Sequence, residues 1–471
     1  MYSLPRRGYM AASGAALAGL LAGCIGENPF DREEADGWML RFGMLAPETG
    51  PFERFGQDMI ESVELLERQV EAADLGFVLE YTIFDTESDP DVAAAGAEQL
   101  LDEGYQVLLG PCLDEAVIAV MEEVSVDAEV PIISPVAAAG MRDFRRLMID
   151  DEETHLVFST APDAHHIGRA FNRTAALSAA QAVAIVHGDG AYGSRMRDEA
   201  VDEFKLRGIS VEVEIEVDEE ADAEDLDVIG ILTELHESDA DLLVVATNPG
   251  QGQELLKEYY ANFDPKPTVL SDRLRDPELP SLVGADLADA IAVGINPIHS
   301  RRGIGAVPQE VEEELVEDDA DDLDLEVEVD DEVVDINPHR PIYEVFPELF
   351  DRRPTSQTMQ TFDAAVILVL SIVSAREGFY EGPRIAQAVD RVASAPDGPV
   401  QYQANYGFHN YWEGLGEIGA GTVNNYLGHT GDVSFHPSRG TRQRPMLNAV
   451  VWDDDAPDGF AELFPIPLQF G

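Results

Sequence analysis

The sequence predicts an α/β protein made of two doubly wound parallel-sheet lobes, and three observations predict it. Strand-like apolar runs alternate with helix-periodic stretches. The connections between successive runs are of helical length, which within one sheet requires parallel strands. The alternation then starts afresh at Ala182, so two sheets follow one another in a chain of 471 residues whose 45% hydrophobic content is enough for sizeable cores.

The first series opens with MLRFGML (Met39 to Leu45), followed by a helix from Gln57 to Ala73 and the strand FVLEYTIFD (Phe77 to Asp85). A helix from Asp91 to Glu103, the short strand VLLG (Val107 to Gly110), a helix opening near Asp114 and the strand VPIIS (Val130 to Ser134) complete it. The second series runs AVAIVH (Ala182 to His187), a helix from Gly193 to Leu206, ISVEVEIEV (Ile209 to Val217), a helix from Ala223 to His236, and DLLVVAT (Asp241 to Thr247).

Glu310 to Asp335 holds sixteen acids and no base. Near its end Leu323, Leu325, Val327 and Val329 alternate with acids, so that stretch reads as an edge strand with one acidic face. The run lacks the glycine-turned pattern of a calcium loop, which favours a solvated insertion over a calcium site. A long apolar helix from Ser356 to Ala375 follows, too interrupted by Thr, Asp and Ser for a membrane span. A helix from Pro383 to Ala393 and a Gly-, Asn- and aromatic-rich segment from Gln401 come last.

Acids outnumber bases 92 to 30, a formal net charge of -62. Nucleic acid and anionic membrane surfaces would be repelled, so neither is an expected partner. The acids are spread over predicted helix faces beside normal apolar periodicity, not gathered in a tail. That distribution reads as a folded protein adapted to high salt, where self-repulsion is screened over short distances.

The first residues, MYSLPRRGYMAASGAALAGLLAGC, place a basic pair, Arg6 and Arg7, before an uncharged stretch and small residues before Cys24. This is the layout of an export signal, residues 1–23. PRRGYM looks like a twin-arginine signal, and LAGC looks like a lipobox, which implies cleavage before Cys24 and lipidation of that cysteine. A polar tether, residues 24–37, would then join the lipid to the first strand, and Cys112 would remain a free, buried thiol.

Six pieces in order resemble landmarks of the type I periplasmic binding proteins, in the leucine/isoleucine/valine-binding branch that serves ABC transporters. They are APETGPFERFG (Ala46 to Gly56), LLGPCLDEAV (Leu108 to Val117), VPIISPVAAAG (Val130 to Gly140), the stretch from Val183 to Val211, TFDAAVILVLSI, and NYLGHTGDVSFHPSRGT (Asn425 to Thr441). The resemblance spans Arg41 to about Trp452, apart from the acidic run. It implies two lobes crossed three times by the chain, closing by hinge motion on a ligand in the cleft. Lobe 1 would comprise 38–159 and 298–395, with the acidic insertion at about 308–336, and lobe 2 would comprise 160–297 and 396–471. It also implies a small-molecule solute (amino acid, amide or amine-like), permease subunits as partners, no cofactor, and an extracytoplasmic location at the outer face of the membrane.

Carried over residue by residue, the resemblance places Phe55 in the first ligand loop, where it is either ligand-facing or core. Tyr192 falls where the second lobe presents a tyrosine that closes over the ligand. Asp114 stands where the family commonly has a Ser or Thr that grips a ligand carboxylate. It is either a helix N-cap or a ligand contact, and in either role it would repel a carboxylate. Ala137 and Ala138 occupy the third loop, where Ala138 offers backbone donors but no hydroxyl. Asn248 follows the strand ending at Thr247, and the family's position for an acidic partner of a ligand ammonium lies near LSDRLRD, which offers Asp272 or Arg273; with Asp272 in that place a cationic or amine group on the ligand fits. A solute neutral or cationic overall fits this set.

For catalysis, HGDG (His187 to Gly190) and DAHH (Asp163 to His166) are candidates, yet the chain has no G-x-S-x-G elbow, H-E-x-x-H or Walker loop. GAGTVN (Gly419 to Asn424) fails the dinucleotide fingerprint at Asn424. An enzyme is therefore not expected. A sensing or scaffolding lipoprotein of the same fold is the alternative to transport. FNRT (Phe171 to Thr174) matches an N-glycosylation acceptor.

Overall fold

Continuous apolar strands need cover on both faces, and the chain supplies it twice. The computed structural model describes residues 38–136 except 74–76, 146–295 except 150, 151, 220, 222, 288 and 289, 325–375 except 330, 331, 338 and 339, 381–393, 426–435 except 434, and 447–466 except 455 and 457.

The first sheet has the order β2-β1-β3-β4-β7 and is parallel throughout. Its strands are β1 (Trp38–Ala46), β2 (Phe77–Asp85), β3 (Leu108–Leu109), β4 (Ile132–Ser134) and β7 (Val157–Ser159). The helices α1 (Glu53–Ala72) and α2 (Pro90–Asp102) make the crossovers. A third, α3 (Asp114–Val120), continues through a π turn (Met121–Ser125) into α4 (Val126–Ala128). A small antiparallel pair, β5 (Arg146–Ile149) with β6 (Glu152–His155), stands outside the main sheet. The strand β7 was not expected, since its three buried residues carry no periodicity to read.

The second sheet has the order β18-β17-β12-β11-β10-β8-β9. The parallel part is β8 (Ala182–Gly188), β9 (Ser210–Val217), β10 (Leu242–Ala246), β11 (Thr268–Leu270) and β12 (Ala290–Ile295). Alternate residues of β8 face opposite cores. Val183 and Ile185 pack with α5 (Ala164–Leu177) and α6 (Ala191–Arg207), while Ala184 and Val186 pack with α7 (Val228–Glu237) and α8 (Pro249–Asn262). The sheet is not wholly parallel, because β17 (Leu447–Trp452) and β18 (Phe460–Ile466) add antiparallel strands at one edge. The expected helix from Ala223 is a 3₁₀ turn (Ala223–Asp225) followed by α7.

The chain leaves the first sheet after β7, returns to the first core before Leu325, and rejoins the second sheet at β17, which makes three crossings. The segment 426–435, expected in the second lobe, packs in the first: Tyr426, Val433 and Phe435 join its core, and the Phe435 ring lies 5.1 Å from that of Phe158. The end of the acidic run also differs from expectation. It forms its own antiparallel hairpin, β13 (Glu326–Val329) with β14 (Glu332–Asp335), instead of an edge strand of a main sheet. Its apolar residues Leu325, Val334 and Ile336 nevertheless turn into the first core as the alternation requires.

A short helix, α9 (Leu279–Val283), belongs to the second lobe, and among the described residues α10 (Ile342–Phe350), α11 (Ser356–Ser374) and α12 (Gly382–Val392) complete the first. In α11 every residue up to Val373 is buried, so its apolar length serves a protein core. Thr355 starts it with a capping box. The one charge inside it, Asp363, accepts bonds from Tyr426 Oη (3.1 Å), the N–H of His429 (2.8 Å) and Thr430 (3.0 Å), and Thr430 Oγ1 (2.5 Å). Cys112 is free and buried, and burial raises its thiol pKa to about 12. Asn172, of the glycosylation pattern, is buried with its Nδ2 bonded to Glu203, so folding hides that acceptor.

Candidate ligand-binding cleft

Residues at the carboxyl ends of the strands of both sheets converge, as expected for a site built on open α/β sheets. After β3, α3 begins at Asp114. After β8, a glycine turn leads into Tyr192 at the start of α6. A Cβ on Gly193 would stand 2.2 Å from the Gly188 carbonyl oxygen, so only glycine lets α6 start this close to the strand. Glu219 follows β9, Asn248 caps α8 after β10, and the 3₁₀ turn Asp272–Leu274 follows β11.

At the centre lies Arg273, 4% exposed. Its Nη1 is 2.8 Å from Glu219 Oε1 in its own lobe, and its Nη2 is 3.5 Å from Asp114 Oδ2 across the cleft. The guanidinium carbon lies 3.8 Å from the Tyr192 ring centroid and 5.5 Å from that of Phe52 in the first lobe. Burial alone would lower the Arg273 pKa, but Glu219, Tyr192, Asp114 and Glu115 raise it above the usual arginine value. The guanidinium is thus charged and held from both lobes.

Further bonds cross between the lobes among the described residues. Glu115 accepts the N–H of Ala191, Gln357 Nε2 donates to the Asp272 carbonyl at 3.1 Å, and Arg54 pairs with Asp276 (3.2 Å) and Glu278 (3.5 Å). The Tyr192 hydroxyl donates to Asp272. Burial raises the pKa of Asp272, against the opposing effects of Tyr192 and Arg273. Burial likewise raises that of Glu219, against Arg273. Burial lowers the pKa of Arg275 to about 10, and its Nη1 bonds Asn448 at 2.7 Å.

Of the expected site residues, the structure brings Asp114, Tyr192 and Asp272 together through Arg273. It also corrects their roles. Asp114 is the first helical residue, not the N-cap, which falls on Leu113 without a side-chain bond. Its charge faces Arg273, which offsets much of the expected repulsion of a carboxylate. Phe55 is packed in the first core, 5.7 Å from Phe52, and lines a cavity beside the cleft. Asn248 is occupied as the cap of α8: its Oδ1 accepts from the Gln251 N–H at 2.8 Å, and its Nδ2 donates to the Glu219 carbonyl at 2.9 Å. Ala137 and Ala138 lie outside the described residues. Sequence reasoning missed Glu115, Glu219, Arg54, Phe52 and Gln357. Signals were available for four of them: Phe52 and Arg54 lie in the stretch Ala46 to Gly56, Glu115 lies in Leu108 to Val117, and Glu219 stands just past a strand end.

The cavity beside Arg273, lined by Arg54, Phe55, Asp58, Gln253, Leu279 and Gln357 among others, has a volume of about 10 Å³, room for one water. Among the described residues no group of three or more His, Cys, Asp or Glu is placed to hold a metal ion.

The fold has counterparts of known structure. A leucine-binding protein, LivK, from Thermotoga maritima is similar at 14% identity and a TM-score of 0.62, with 91% of this chain and 98% of that one covered. The branched-chain amino acid transporter substrate-binding protein LivJ from Streptococcus pneumoniae, in complex with isoleucine, is similar at 13% identity and a TM-score of 0.63 over 91% and 98%. An ABC transporter solute-binding protein from R. palustris in complex with benzoate is similar at 15% identity and a TM-score of 0.64 over 91% and 96%. No curated protein sequence matches. The periplasmic binding protein family matches residues 40–297, more than half of the sequence and both sides of the cleft. The chain therefore belongs to the periplasmic binding protein family.

Proposed function

We propose that the protein is an extracytoplasmic solute-binding lipoprotein of an ABC importer, closing its lobes on a small polar solute that is neutral or cationic overall. The observation that carries this reading is the convergence of side chains from both lobes on one buried point, where Asp114 meets Arg273 and Tyr192. Such a point is remade each time the lobes open and shut, so binding and closure are coupled there. The charge preference follows from the carboxylates of Asp114, Glu115, Glu219 and Asp272 gathered around it.

Isothermal titration of the purified protein in high salt against amino acids, amides, polyamines and betaines tests the reading. Binding of a neutral or cationic solute that lacks a carboxylate is the expected result, and tight binding of leucine would sink the carboxylate-repulsion argument. The anchor is a separate part of the proposal: mass spectrometry should find a mature chain beginning at lipidated Cys24, and an intact Met1 or a bare Cys24 refutes it.

The contacts that join the two lobes through Arg273 and Arg54 favour a second reading, a sensing or scaffolding lipoprotein that stays closed without transport. Permease and ATPase genes beside this one would support transport, whereas a neighbouring kinase or regulator would support sensing.

A further inference from the structure

The guanidinium of Arg273 sits as a bound cation would sit. It lies over the rings of Tyr192 and Phe52, one from each lobe, and its two amino groups pair with the carboxylates of Glu219 and Asp114, again one from each lobe. Two aromatic faces and two carboxylates around a desolvated cation are the elements of a cation cage. Yet the fit of the tethered side chain is incomplete. Its buried Nε has no hydrogen-bond partner among the described residues, which is costly in so dry a place.

We propose that the centre of the cleft is a seat for an organic cation, occupied in this closed form by the protein's own Arg273, and that the solute is a small guanidinium- or amine-bearing molecule that takes the seat by exchange with that side chain. The solute class rests on the solute-trap reading above, whereas the seat itself does not.

Space and charge both favour exchange. The adjoining cavity of about 10 Å³ admits no solute while Arg273 is in place. Replacing one cation by another leaves the local charge unchanged. An anion would add a further negative charge to Asp114, Glu115, Glu219 and Asp272, and would have to compete with two carboxylates for one guanidinium. Arg273 belongs to a 3₁₀ turn of the second lobe, so opening the lobes withdraws Asp114 and Phe52 from it together and leaves Glu219 and Tyr192 beside it.

The seat is tested by chemical rescue. The melting temperature of Arg273→Ala is measured with ethylguanidinium chloride and with equal potassium chloride. Ethylguanidinium at several times its dissociation constant should raise it by about 2 °C or more relative to the salt control, with no such rise in the wild type. The same rise should be lost when Asp114→Asn is added. An equal response of variant and wild type overturns the seat. The solute class is tested in parallel by calorimetry of the wild-type protein with agmatine, leucine and benzoate, which does not depend on the variants folding. Agmatine should bind at least about tenfold more tightly than the other two, a difference of about 1.4 kcal/mol. Tighter leucine or benzoate binding overturns the cation class while leaving the solute trap intact. Rescue without binding of any of the three supports the seat and overturns the cationic solute class.

Discussion

At the scale of single residues, the cleft depends on a few buried polar contacts whose loss should be measurable. Tyr192→Phe removes the hydroxyl that donates to Asp272 and leaves that buried carboxylate short of a donor. The expected cost is about 1–3 kcal/mol, read as a lower urea midpoint at unchanged slope. Glu219 and Asp272 have pKa values raised by burial in the folded protein. A carboxyl group with a raised folded pKa binds its proton more tightly in the folded than in the unfolded state. Its contribution is therefore fully present below the unfolded carboxylate pKa and is lost as pH rises through the folded value. Unfolding free energy should accordingly rise as pH falls through that window. Glu219→Gln should flatten this slope relative to wild type, and an unchanged slope would assign the pH dependence to other carboxylates.

At the scale of elements, helix α11 joins distant parts of the first lobe. Its buried Asp363 holds the segment 426–435 by four donors, and a Cβ on Gly428 would stand 2.2 Å from Asp363 Oδ2. Asp363→Ala would leave the N–H groups of His429 and Thr430 buried without this acceptor. The expected loss is about 3 kcal/mol or more, with faster hydrogen exchange confined first to 426–435. Exchange that rises uniformly over the lobe would contradict a local tie. The helices α5, α8 and α10 went unread, whereas others such as α2 and α11 were readable from periodicity. The short strands β7 and β11 were not, because three buried residues carry no period.

At the scale of the whole molecule, the lobes meet through charged pairs of unequal exposure. Arg54 and its partners remain partly in water, while Arg273 and Asp114 do not. Salt should therefore weaken the first contact more than the second. The net charge of -62 acts in the opposite sense on stability, since raising salt from about 0.1 M to about 1 M shortens the screening length from about 10 Å to about 3 Å and relieves self-repulsion. The melting temperature should rise over that range. A flat or falling curve would reject the reading of a salt-adapted chain.

The sequence by itself determined the two series of strands and helices, the parallel sheets they imply, the order of the cleft loops and the excess of acid, because periodicity, crossover length and charge are local or additive properties. Tyr192 and Asp272 were reached by carrying the family resemblance over residue by residue, since β11, which precedes Asp272, was not readable. Only the tertiary structure decided that Asp114 faces Arg273, that Glu219 and Phe52 complete its surroundings, and that residues 426–435 belong to the first lobe. Those contacts join residues far apart in the chain, and the sign of the charge at such a point is set by which side chains burial brings together, not by any one of them.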